Sequence, residues 1–182
     1  MNRSHGMTTV TLDRHKGHAF SYDVVSAGYN YRLTEMQAAL GLVQLAKVER
    51  NNAIRRSLVK AYQRRLAECP DLVIPFVGME DESACHIFPI LLPKGSNRER
   101  VQREMRTAGI QTSIHYPPVH RFSNFAGRFA DDVPRLNAIA PRLLTLPLHP
   151  LMDEADVAYV CDYLQRSLSA APLEHTAVGQ GY

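Results

Sequence analysis

Asn30 and Arg32 stand immediately ahead of a helix start, in the stretch Gly28-Tyr29-Asn30-Tyr31-Arg32. The first turn of a helix has unpaired N–H groups and the positive end of the dipole, both of which favour anions. An amide donates without charge and a guanidinium grips with a planar fork, so the pair suits a phosphate. A plainer arrangement is open to the same residues: Tyr29 and Tyr31 pack as aromatic anchors while Arg32 is solvated. Pattern alone favours that arrangement, because short polar loops are common. The second group is Ser113-Ile114-His115-Tyr116-Pro117-Pro118, with His120 close behind. An imidazole and a phenol leave the end of a strand together, and two prolines fix the backbone after them. Strand ends present side chains to clefts, and a rigid turn limits the entropy lost on binding. Strict alternation sends His115 and Tyr116 to opposite faces unless the turn intervenes. The plain alternative keeps Tyr116 on the core face and leaves His115 at the surface.

Other chemistries find less support. His5, His15, His18, His86, His115, His120 and His149 invite a metal reading, but His15-x-x-His18 is not on a convincing helix and no carboxylate follows at ligand spacing. The basic run Lys47–Arg65 reads as a solvated face or one turned to an acidic partner, since no nucleic-acid module accompanies it. There is no GxSxG, GxGxxG or P-loop, and no Cys/His nucleophile pair. Lys16, Lys47, Lys60 and Lys94 all sit in polar surroundings, unlike a desolvated Schiff-base lysine.

These residues need elements to position them. Thr34 with Gln37 makes a capping box, and Met36, Ala39, Leu40 and Val43 follow at helical spacing. The pattern continues through Ile54, Leu58, Ala61, Tyr62 and Leu66 toward Cys69-Pro70. Unbroken, residues 34–68 would span roughly 50 Å, so a bend or break is placed at Arg50-Asn51-Asn52. His86–Leu92 reads as a buried strand. Ser96 with Glu99 opens a further helix that ends at Gly109. Ile110–Tyr116 alternates as a strand with Ile110, Thr112, Ile114 and Tyr116 on one face. Asp132–Leu144 is helical with an interruption at Pro141, and Leu146-Pro147-Leu148 is a short edge strand. Asp153 caps a last helix carrying Val157, Val160, Cys161, Leu164 and Leu168 on one face. Thr8–Leu12 is a weak strand, Asp13–Asp23 a loop, and Ser169–Tyr182 a disordered tail.

At 182 residues the chain can bury a core. Its net charge of +3 is too mild to imply nucleic acid, and no apolar run reaches the length of a membrane span. MNRSHGMTTV has no apolar region of a secretory signal, and Cys69, Cys85 and Cys161 lack metal or CxxC spacing. Reduced thiols in the cytoplasm are the simplest expectation.

Gly28-Tyr29-Asn30-Tyr31-Arg32, then Glu35-x-x-Ala38-Ala39 and Gln44-Leu45, closely resembles the hallmark of the DegT/DnrJ/StrS-type sugar aminotransferases. Cys85-His86-Ile87-Phe88, Gly109-Ile110-Gln111-Thr112, His115-Tyr116-Pro117-Pro118 and Leu146-Pro147-Leu148-His149-Pro150 continue the similarity in register, from about His5 to Leu168. The family consists of pyridoxal-phosphate enzymes of the aspartate-aminotransferase fold that aminate keto-sugar nucleotides, with glutamate the expected amino donor here. The resemblance implies an α/β fold: the C-terminal small domain of a fold-type I enzyme, with a long bridging helix and a small antiparallel sheet covered by helices. The implied division is 1–32 as the end of the large domain and its active-site loop, 33–68 as the bridging helix, 69–168 as the small domain and 169–182 as the tail.

By the same resemblance, Asn30 reaches across a dimer interface to the cofactor phosphate of the partner subunit. Arg32 orients the active-site loop or meets the sugar nucleotide. His115 and Tyr116 face the sugar nucleotide, with His86 nearby. The family's N-terminal half holds the large sheet, the aromatic on the cofactor ring, the aspartate for the pyridine nitrogen and the lysine that carries the cofactor. This sequence matches only from about where that half ends. The expectation is therefore a chain with no catalytic residue of its own, no stable cofactor and no transamination alone. Its implied partners are a second copy, or a large-domain or full-length relative. The alternative is a non-catalytic interaction module that binds a full-length aminotransferase through the old dimer surface.

Overall fold

The computed structural model describes residues 23–125 and 133–169. The weak strand at 8–12, the loop at 13–23 except Asp23, Lys16, the three N-terminal histidines and the tail at 169–182 except Ser169 lie outside the described residues; Ser169 itself ends the last helix rather than opening the tail. The chain divides into two compact units, the first ending at Val48 and the second starting at Glu49.

In the first unit, α1 spans Glu35–Leu45. Its cap is the expected box: Gln37 N–H donates to Thr34 Oγ1 at 3.3 Å, and Thr34 N–H to Gln37 Oε1 at 2.9 Å. Tyr29 and Tyr31 stack ahead of it with centroids 5.2 Å apart. No residue of α1 is buried, and Met36, Leu40, Leu42, Val43 and Leu45 are all exposed.

The helical run is interrupted at Ala46-Lys47, not at Arg50-Asn51-Asn52. Lys47 N–H bonds back to Gln44 O at 3.0 Å, a tight closing turn, and α2 starts afresh at Val48 and runs to Leu66. Asn52, the expected breaker, stays in the helix and accepts a hydrogen bond from Arg55. A polar amide with a partner one turn ahead does not compete for the backbone.

The second unit has one apolar core. The C-terminal half of α2 contributes Leu58, Tyr62 and Leu66, and β1 (Phe88–Leu91) contributes Phe88 and Ile90. β1 pairs antiparallel with β2 (Leu143–Leu146), with Phe88 opposite Leu146 and Leu91 opposite Leu143. Between the strands in sequence comes α3 (Arg98–Thr107), packed on α5 (Glu154–Ser169). α5 buries Val157, Val160, Cys161 and Leu164, the stripe read from its spacing, and Asp153 caps it by accepting from Ala155 N–H at 2.8 Å. Tyr62 ties the layers together. Its ring stacks on Phe88 at 4.6 Å and its hydroxyl donates to Pro147 O at 2.8 Å.

Each edge of this sheet is extended by a single bridge, Val73 with Leu91 and Ser113 with Thr145. Continuing the first register by two residues sets Pro75 against Pro89, and two residues without an N–H cannot extend a ladder. On the other edge the same continuation sets Gln111 against Pro147, which has no N–H to give, so Ile110–Tyr116 is an extended segment joined to the sheet at Ser113 alone, not a full strand. Ile110 is buried and Thr112 and Ile114 half-buried, as the alternation required, but Tyr116 is exposed. β2 likewise departs from expectation. It precedes Pro147 and lies inside the sheet, because Thr145 has both of its main-chain groups bonded to Ser113, at 2.8 and 3.0 Å.

Helix ends explain two more offsets. The cap of α3 is Asn97, whose side chain accepts from Arg100 N–H at 2.9 Å, while Ser96 sits in the preceding turn. Its C-terminus follows the sequence closely. Gly109 takes φ 75°, Gly109 N–H bonds Arg106 O at 2.9 Å, and Ile110 N–H bonds Met105 O at 2.9 Å. This double bond with a left-handed glycine is the Schellman closure, and the buried Ile110 and Met105 make its apolar contact. Ahead of β2, α4 covers Pro134–Ile139 and a 3-10 turn covers Ala140–Arg142. Among the described residues no helix is long and apolar enough to cross a membrane.

The basic face of α2 turns to its own chain. Arg55 donates to Ala84 O at 3.0 Å, Lys60 pairs with Asp81 at 3.4 Å and Arg64 with Glu154 at 3.3 Å. The acidic partner considered for Lys47–Arg65 is thus in part Asp81 and Glu154 of this same chain.

Candidate functional site

The second unit carries a cleft of about 730 Å³ beside the edge of β2 that Ser113 bridges. Register builds it. Ser113 and Thr145 are directly opposed, so their side chains share a face, and period two adds Gln111 and His115 to it. His86 precedes β1 and His149 follows β2, so both stand where the Phe88–Leu146 pairing ends. Gln111, Ser113, His115, Thr145, His86 and His149 all line the cleft. Leu144 points to the opposite, core side of β2.

Its electrostatics are simple. Asp156 is the charged side chain among the described lining residues, and no lysine or arginine is among them. Asp156 is already engaged, since one of its oxygens accepts from Asp153 N–H at 3.0 Å. Tyr159, on the cleft wall, donates its hydroxyl to Ala108 O at 3.0 Å. Thr145 is 4 % exposed, yet among the described residues its Oγ1 has no hydrogen-bond partner, and neither has the buried His115 Nδ1.

The sequence-derived residues divide accordingly. His86 and His115 come together in the cleft. Tyr116 is not part of its lining: it is 70 % exposed, and its ring meets that of His115 edge-on at 5.0 Å. The two rings thus adjoin, where strict alternation would have parted them. Asn30 and Arg32 lie in the first unit and are exposed. Thr145 and Gln111 escaped sequence reasoning as site residues. A lone threonine inside LLTLPL carries no chemical signal, and only pairing with Ser113 turns it toward the cleft. His149 lies in a motif that could have singled it out. No group of three or more metal-ligating side chains occurs among the described residues.

A second, apolar cleft of about 340 Å³ lies between α2 and the 75–89 segment, lined by Val59, Phe76, Met79 and Phe88 with Glu80 at its rim. Glu80 is held below the usual carboxylate range by its bonds from Gln63 and from Gly78 N–H. Burial pushes the Cys161 thiol up to about 12 and raises the Tyr62 hydroxyl and, less deeply buried, the Cys69 thiol. None of these groups offers a ready nucleophile.

Comparison with known proteins supplies the context. The model of the DegT/DnrJ/EryC1/StrS aminotransferase family matches residues 1–165. The sugar aminotransferase CalS13 from Micromonospora echinospora superposes with a TM-score of 0.76 at 25% identity, over 91% of this chain and 42% of its own. DesV from S. venezuelae, solved in complex with a ketimine intermediate, gives 0.73 at 27% identity, over 85% and 42%. A protein of Streptococcus pneumoniae assigned as a sugar aminotransferase, in its PLP form, gives 0.74 over 92% and 41%; at 24% identity it speaks to the fold alone. The chain thus spans less than half the length of the solved structures it matches, and its helices and small antiparallel sheet are part of a fold-type I aminotransferase. With a family match over nearly its whole length, this chain belongs to the DegT/DnrJ/EryC1/StrS aminotransferase family.

Proposed function

We propose that this chain supplies the sugar-facing part of a pyridoxal-phosphate aminotransferase acting on keto-sugar nucleotides, with glutamate as the amino donor. The observation that carries the reading is the cleft that gathers His86 and His115 beside the orphaned Thr145 hydroxyl, in a member of this family. Uncharged donors and acceptors in a roomy, half-polar cleft suit a hydroxylated ligand.

The described residues do not by themselves fit the cofactor. Its chemistry needs a lysine amine in a desolvated pocket. Lys47, Lys60 and Lys94 are exposed, none lines either cleft, and Lys60 is paired with Asp81. What this chain offers is Asn30, an uncharged donor toward the phosphate of a cofactor held by a large domain, and Arg32 beside it. Tyr116, at the cleft's margin, adds an aromatic contact to the sugar nucleotide.

Amino transfer from glutamate to a keto-sugar nucleotide, followed by mass spectrometry of the sugar, tests this. The reading expects product when the chain is joined or mixed with a family large domain plus pyridoxal phosphate, and none from the chain alone. Product from the chain alone, or undiminished product after His115→Ala in the assembled enzyme, would contradict it.

A second reading is favoured by one observation. α1 buries none of its residues, and Leu40, Leu42 and Leu45 are more than 60 % exposed. On that ground the chain is a non-catalytic module whose first unit docks on a full-length aminotransferase or a second copy. Co-purification without any gain in transfer would favour the module over the enzyme part.

A further inference from the structure

Three buried side-chain polar atoms lack a partner among the described residues: Arg98 Nε, His115 Nδ1 and Thr145 Oγ1. Arg98 is otherwise held, its Nη1 donating to Ala140 O at 2.7 Å. The remaining two line the same cleft. A buried hydroxyl left unsatisfied is destabilising, so folded proteins satisfy nearly all such groups, with a ligand or with water.

The partner's chemistry can be narrowed. A hydroxyl is both donor and acceptor, as Thr145 is, and a neutral imidazole nitrogen is one or the other. A ligand rich in hydroxyls satisfies both atoms whichever way their protons lie. A diphosphate does not suit the place, because its anionic oxygens call for arginine, lysine or a run of free N–H groups. The described lining has none of those cations and includes the Asp156 carboxylate. The Ser113 and Thr145 amides, which could have served, are bonded to each other's carbonyls.

We propose that this cleft takes the uncharged sugar ring of the nucleotide sugar, leaving the diphosphate outside, and that Thr145 Oγ1 with His115 Nδ1 reads the ring's hydroxyl groups. Thr145 is thereby a specificity-determining residue. The inference rests on the sugar-nucleotide reading above and deepens it.

The test is an amide-resolved NMR titration of the full chain with UDP-glucose and, separately, with UDP, for wild type, Thr145→Val and Thr145→Ser, with a melting curve for each. UDP-glucose should shift the Ser113 and Thr145 amides, and UDP should leave them unmoved. Thr145→Val should weaken UDP-glucose binding about tenfold, the worth of a lost ligand hydrogen bond, while its melting temperature holds or rises. Thr145→Ser should retain the binding. If Thr145→Val melts lower and binds UDP-glucose as well as wild type, the hydroxyl holds a structural water and the inference is wrong. Equal shifts by UDP and UDP-glucose overturn the sugar-ring assignment. If neither probe moves any amide of the wild type, the sugar-nucleotide reading itself falls.

Discussion

The two units of this chain use apolar residues in opposite ways. In residues 49–169, Leu66, Ile90, Leu144 and Leu164 are almost wholly buried and form one closed core. In residues 23–48, Met36 is 82 % exposed and Leu42 70 %, on a helix whose capping box is fully formed. A well-capped helix with no buried side chain rests on local chemistry alone. An exposed apolar face of that kind marks an interaction surface. The second unit buries its apolar residues within one core; the first leaves them exposed, which is the ground of the docking reading proposed above.

The largest contrast is expected from truncating leucines in each unit. Leu164→Ala should lower global stability by about 2–5 kcal/mol through lost contacts and a cavity, whereas Leu40→Ala should stay within about 0.5 kcal/mol. Denaturant melts of both variants check this, and a comparable loss at Leu40 would break the distinction. Tyr62→Phe comes next, at about 0.5–1.5 kcal/mol for the bond to Pro147 O. Thr34→Ala should cost about 1 kcal/mol locally, seen as faster amide exchange over 35–38 with an unchanged main transition.

How much was legible follows the same line. Signals within one turn of chain were readable: the Thr34 box, the Asp153 cap, the Gly109 closure and the α5 stripe. Features that depend on pairing were not. β2 was displaced toward Pro147 because LLTL carries no alternation, and Thr145 gained meaning only opposite Ser113. Ala46 and Lys47 are good helix formers, so the interruption there has no local cause; it falls near the boundary between the units. Asn30 and Arg32 suit an anion by type, but residue pattern alone favoured the plainer arrangement of stacked tyrosines with a solvated arginine, and both are exposed in the first unit.

A further contrast lies in pH. The Cys161 thiol is raised by burial from its ordinary value near 9 to about 12. Between those values the unfolded chain releases a proton that the native state retains, so stability is full below about pH 9 and falls as pH rises toward 12. Tyr62, raised in the same direction, adds to the loss in the alkaline range. Cys161→Ala should flatten the slope between pH 9 and 12, even though it lowers stability at neutral pH. An unchanged slope would show that the thiol is not shielded. Smallest of all, Lys60→Ala should shift stability by less than about 1 kcal/mol, since its pair with Asp81 is exposed.

The proposed division of labour between this chain and a cofactor-bearing domain is tested most directly by trapping. Pyridoxal phosphate is added to the chain alone, reduced with borohydride, and the modified lysines are located by mass spectrometry. The account predicts scattered, substoichiometric labelling of exposed lysines, with no absorption band that glutamate can discharge. One stoichiometric adduct at a single lysine, with a band that glutamate bleaches before reduction, would mean that this chain holds the cofactor itself.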